Sequence, residues 1–249
     1  MNVSNNQVDF YDLLPFSKAQ VLLQRIEQLN STVETSSVDA LYSKKNRYSD
    51  KWQRQWQKIH ATHADELLQD EPLQIEASLV MDSEQAATDW LIDLFNDLFI
   101  DQHVVLVHSD GEPEYFPAQD THAARIEFAH GFFASALHEL SHWCVAGDAR
   151  RRLPDFGYWY APDGRTAAQQ QAFEHVEIKP QALECLFTLA CGRQFQVSQD
   201  NLFADFDTSD STFAEDVYQQ VESYIVEPQA LPRDAKTLLH ALLSLCAID

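Results

Sequence analysis

His138 and His142 stand four residues apart, with Glu139 directly after the first, in the segment His138-Glu139-Leu140-Ser141-His142. On a helix, positions i and i+4 lie one turn apart with about 40° between them, so both imidazoles can reach a single ion. Glu139 is rotated by about 100° and reaches the open side of that ion rather than its centre. This is the H-E-x-x-H arrangement, in which zinc peptidases use the glutamate as general base on metal-bound water. Taken by themselves, these five residues suggest a zinc metallopeptidase. Two histidines on one face of a buried helix would also be costly to bury without a partner.

A histidine pair needs a third protein ligand, usually a carboxylate, with further positions left open for substrate. Asp148, Asp155, Glu174, Glu177 and Glu184 are the downstream candidates. Glu174 and Glu177 are three apart and share a face on one helical turn. One can bind the ion while the other orients a histidine from behind. Pro180 fits a helix that begins just before it, because first-turn amides need no partner, and this favours Glu177 as the inward residue. Glu174 is the second choice, expected behind it against an imidazole or the loop after Gly147. Asp155, Tyr158 and Tyr160 are candidates for lining a substrate cleft. Arg150-Arg151-Arg152 reads as a cap on the end of the histidine helix and its dipole.

The elements that must position these residues are legible in outline. Phe133, Leu137, Leu140 and Cys144 form one apolar stripe, and Phe132, Ala136 and Trp143 cover the opposite flank, so the helix from about Gly131 to Cys144 is central. Gly147 follows as a C-cap residue. Before it, Trp90, Leu91, Leu94, Phe95 and Leu98 mark an amphipathic helix from Ser83 onward. His103–Val107 and Glu114–Phe116 flank the turn residues Ser109–Pro113 and read as a β-hairpin, with Arg125–Ala129 as a third strand. After it come helical stretches at about 167–178 and 180–191. Another helix opens on a capping box at Thr212–Glu215, and a last one follows Pro232. Near the start, Ser17 caps a helix running to Ile26, and Asp70-Glu71-Pro72 marks a linker. The sum is an α+β domain: a small mixed β-sheet with a central HExxH helix, zincin-like, surrounded by helices.

Bulk properties bound the function. With 249 residues, 45% hydrophobic and 11% aromatic, the chain can build a core. Residues 1–60 hold 8 Lys/Arg against 6 Asp/Glu, a balance of +2, and the remainder 9 against 33, a balance of −24. That acidic majority argues against nucleic acid and anionic membranes and suits basic partners. The basic, aromatic stretch from Lys44 through Trp52, Trp56 and Lys58 reads as a docking helix on the acidic domain rather than an RNA surface. No apolar run reaches the ~18–20 residues needed to span a bilayer, and Met1–Asn6 lacks the pattern of a secretory signal. Four cysteines without a CxxC pair read as buried thiols in a reducing compartment. The expected setting is the cytoplasm.

Three segments together resemble the elongation factor P hydroxylase family. They are the run Phe128–Cys144, then Asp155–Tyr160 with Pro162-Asp163-Gly164-Arg165, then Phe173-Glu174 through Val176–Leu183. The resemblance covers about residues 86–249 and implies a bacterial non-haem iron hydroxylase with a coordination motif similar to that of zinc metalloproteases. Its substrate would be elongation factor P already carrying a β-lysyl group on a lysine, and molecular oxygen would be the co-substrate. On this resemblance His138 and His142 are ligands to Fe(II), with a downstream glutamate completing the set. Residues 81–249 would form the metal-dependent hydroxylase domain. Residues 1–80, a helical N-terminal extension, lie outside the family pattern.

Overall fold

The structure, a computed structural model, describes residues 8–31, 50–61, 74–158, 164–199 and 211–246. Three strands, β1 (Val104–Ser109), β2 (Glu114–Phe116) and β3 (Ala124–Ala129), form a sheet of order β1-β3-β2. Strand β3 alternates as the sequence suggested, with Ala124, Ile126 and Phe128 buried on one face. It pairs in parallel with β1, from Val104 opposite Ala124 to Ser109 opposite Ala129, and antiparallel with β2, where Tyr115 faces Ile126.

The expected β1–β2 hairpin is therefore not formed. The physical reason lies on the outer edge of β1, where the Asn96 side chain accepts from the Leu106 N–H at 2.7 Å and donates to the Leu106 carbonyl at 3.2 Å. That amide satisfies the groups a second strand would need. Strand β2 lies instead on the far side of β3, and the preceding Pro113, without an N–H, suits such an edge.

The helices are α1 (Phe16–Ser31), α2 (residues 50–61), α3 (Gln74–Leu98), α4 (Phe133–Arg150), α5 (Ala167–Ala190), α6 (Phe213–Val226) and α7 (Arg233–Cys246). α3 lies against β1 and α4 against β3, while α5 touches α4, α6 and α7. Trp90, Leu91, Leu94 and Phe95 are buried as their spacing implied. The four cysteines are buried free thiols. Among the described residues no helix is long and apolar enough to cross a membrane.

Several boundaries differ from the sequence reading. Residues 167–190 form one helix that runs through the buried Pro180, not two. A mid-helix proline costs about 3 kcal/mol. Burial of Ala182, Leu183, Leu186 and Phe187 on the same helix offsets it. Gly147 breaks α4 with φ 64° and ψ 175°, although helical geometry resumes to Arg150. Thr212 forms no capping box, since its hydroxyl bonds Asp216 while Ser211 accepts from the Phe213 N–H. Ser17 lies inside α1 rather than at its cap. Phe132 does not cover a flank of α4; it is 51% exposed, just before the first turn.

The N-terminal helices enter the same apolar core. Leu22 and Ile26 of α1 are buried, and Arg25 donates to the carbonyls of Ile225 and Val226 at 3.2 and 2.7 Å, capping α6. Trp52 and Trp56 are buried too, so neither offers a surface for base stacking. Trp56 packs on Trp90 and Phe133 with ring centroids 4.6 and 5.8 Å apart. Lys44–Arg47 and the proposed linker at Asp70–Pro72 lie outside the described residues. Trp56→Ala should therefore destabilise the fold by about 3–5 kcal/mol in urea unfolding. A loss below about 0.5 kcal/mol would mark α2 as a loose attachment.

Candidate metal centre

The chain leaves β3 and enters α4 through a turn at His130 and Gly131, both with left-handed φ, 63° and 70°. Glycine accepts that conformation freely, and the histidine accepts it at some cost. The turn directs α4 alongside α5, with the start of one helix near the end of the other. His138 and His142 then face α5 across the packed interface.

Three groups converge there. His138 Nε2 and His142 Nε2 are 3.1 Å apart. Glu177 brings Oε1 to 3.4 Å from His142 Nε2 and Oε2 to 3.8 Å from His138 Nε2. Among the described residues these form a group whose donor atoms could hold a metal ion. For bonds of about 2.1 Å, neighbouring donors stand about 3.0 Å apart at 90° and about 3.4 Å apart at the tetrahedral angle. The separations fit that range, the longest exceeding it by a few tenths of an ångström. The donor set, two imidazoles and one carboxylate, also leaves positions open.

Glu184 completes the arrangement from behind. Its carboxylate lies 2.8 Å from His138 Nδ1, so Nδ1 donates to it and Nε2 points inward, where a bound cation would displace its proton. Burial lowers the His138 pKa, but the Glu184 hydrogen bond and the charges of Glu184, Glu177 and Glu139 outweigh it and raise the value to about 10. His142 is held well below its ordinary value by burial and by the neighbouring His138. Glu139 is raised to about 7, chiefly by burial and further by Glu177, Glu184 and Asp155, against the pull of His138. It can therefore hold or release a proton near neutral pH.

The other candidates lie elsewhere. Glu174 is expected against an imidazole or the loop after Gly147, but it accepts from Gln170 and from the Ser211 hydroxyl, and Glu184 meets the imidazole. Asp148 is exposed and pairs loosely with Arg233 at 3.5 Å. Asp155 accepts the Tyr115 N–H at 3.0 Å from a left-handed turn that continues through Phe156 and Gly157. Phe156 stacks on Tyr115, and the Arg150 guanidinium covers the Tyr158 ring. Tyr160 lies outside the described residues. Arg151 does bond the end of α4, through the Trp143 carbonyl, and also pairs with the buried Asp234 at 2.6 Å.

The helix start expected near Pro180, which favoured Glu177 as the inward residue, is not formed. With α5 continuous, Glu177 and Glu184 are seven residues apart and share a face by helical period. That spacing was the available signal for Glu184.

A sequence model of the family described as elongation factor P hydroxylase matches residues 94–247. The chain belongs to this family. It is also 46% identical over 157 residues to a Haemophilus influenzae protein named elongation factor P lysine hydroxylase, covering 62% of this chain and 86% of that one. The family match spans both α4 and α5, and so all three converging donors.

Glu177→Gln should lose tightly held divalent metal on dialysis, and Glu184→Gln should bind it about 10–100-fold more weakly. Glu174→Gln should retain it. Elemental analysis decides, and full occupancy in the Glu177 variant would remove that residue from the site.

Proposed function

We propose that this chain is a non-haem iron hydroxylase that modifies the β-lysylated lysine of translation elongation factor P. The observation that carries the proposal is the convergence of His138, His142 and Glu177 in a chain of the elongation factor P hydroxylase family. His138, His142 and Glu177 would hold Fe(II), and a two-histidine, one-carboxylate face suits that ion in oxygenases. Zinc can take the same donors in the purified protein. Bound there, iron supplies the oxidising chemistry with molecular oxygen that an unactivated C–H bond requires.

The chain's own residues have separate tasks. Glu184 fixes the His138 tautomer and ring orientation. Glu139 lies beside the donors and shuttles a proton at its carboxylate oxygen during turnover. The packed surround of α4 keeps water from competing for reactive species. Asp155, whose carboxylate is set by the Tyr115 N–H, and Tyr158 would contact the substrate, with Tyr160 a third candidate on sequence alone. The HExxH helix gives the site a zincin-like form, although the reaction is oxygen insertion. A translation factor as substrate supports a cytoplasmic setting.

The −24 balance of residues 61–249 supports attraction to a substrate tip bearing lysine and β-lysyl ammonium groups. Affinity for the lysylated factor should fall as salt rises, because such attraction is screened over about 8–10 Å at physiological ionic strength. Salt-independent binding by calorimetry would assign the charge to solubility alone.

Intact-mass analysis of lysylated elongation factor P tests the reaction. Incubation with the iron-loaded protein and a reductant in air should add about 16 Da, one oxygen atom, to the modified lysine peptide. His138→Ala and His142→Ala should abolish the increase while keeping the fold. No mass gain, together with cleavage of test peptides by the zinc form, would replace this reading with a metallopeptidase.

A further inference from the structure

All three converging donors lie on α4 and α5, so their separations depend on how these two helices are held against each other. A side-chain tip lies roughly 6 Å from its helix axis, so a 10° rotation of α4 moves an imidazole by about 1 Å. Metal sites tolerate about 0.2 Å in bond length. Something must therefore hold the two helices in one placement relative to each other.

One side chain contacts both. Glu84 of α3 accepts the Phe133 N–H, an orphan donor in the first turn of α4, through Oε1 at 2.8 Å. Its Oε2 lies 2.7 Å from Arg193 Nη1, two residues beyond the C-cap of α5. Arg193 is itself anchored to α5, since its backbone N–H donates to the Thr188 carbonyl at 3.1 Å. Its guanidinium also lies over the Phe133 ring, 4.4 Å from the centroid. One turn along α3, the Thr88 hydroxyl shares its proton between the Glu84 carbonyl at 2.9 Å and the Gly131 carbonyl at 3.1 Å, and so touches the left-handed turn that aims α4. Phe132, at the N-cap position, offers no side-chain cap of its own.

We infer that Glu84 is a positioning residue for the metal centre. Its carboxylate caps α4 from another helix and ties that cap to the end of α5 through Arg193, setting the relative placement of His138, His142 and Glu177. Glu84 and Thr88 lie outside residues 94–247, so the segment before the family match has a task at the site. The inference rests on the metal reading above.

Co(II) titration of the full chain tests it, because visible d–d bands report coordination geometry without any turnover. Glu84→Ala should keep the circular dichroism of the unaltered chain, bind Co(II) about 10–100-fold more weakly and show altered bands. Glu84→Gln keeps an acceptor for the Phe133 N–H and loses only the charge toward Arg193, so it should weaken binding by about 2–5-fold. A folded Glu84→Ala variant with unchanged affinity and bands overturns the inference. If that variant does not fold, Glu84→Gln decides, and affinity equal to the unaltered chain overturns it. Failure of the unaltered chain to bind Co(II) removes the metal reading itself, and the inference with it.

Discussion

The docking of α4 on α5 is the constraint on which the rest of this molecule depends. Two imidazoles four residues apart are a local property of one helix, but the carboxylate between them belongs to another. Their donor atoms come within 3.1–3.8 Å only while the helices keep one register and one rotation. The sheet contributes by aiming α4 through the turn at His130 and Gly131. The polar residues of α5 contribute along its length: Gln170 and Gln181 hold the returning chain at Gln199 and Ser198, while Glu177 and Glu184 face the histidines. A stripe of amides and carboxylates down a buried helix disfavours burial unless each group meets a partner. Here the returning backbone accepts from the Gln170 and Gln181 amides, and the imidazoles face Glu177 and Glu184.

The electrostatics of the centre follow from that packing. Burial first, and then the charges of Glu177, Glu184 and Asp155, let Glu139 keep its proton up to about pH 7. A divalent cation among these groups would reverse the local balance, since bound ions are the largest charges in such sites. The same surroundings that destabilise a bare carboxylate therefore favour a cation at the donors.

How much was legible depended on whether the signal was local. The histidine pair follows from i,i+4 spacing and needs no tertiary information. The strand at Ala124–Ala129 was plain from alternation. The β1–β2 hairpin failed because a distant residue, Asn96, satisfies the outer edge of β1. Pro180 was read as a boundary because local preference opposes it in mid-helix, whereas the packing of α5 overrides that preference. That error hid the shared face of Glu177 and Glu184. Glu84 left no trace in spacing at all, because its partners lie 49 and 109 residues away.

The cap that Arg25 places on α6 has a consequence for how the chain is made. Its acceptors, the carbonyls of Ile225 and Val226, lie 200 and 201 residues downstream. At synthesis rates of roughly 5–20 residues per second, they emerge about 10–40 s after Arg25 does. Through that interval the apolar side of α1, with Leu22 and Ile26, has neither α6 nor α7 to rest on. Docking of α1 on α6 and α7 is thus a late event in the making of this fold.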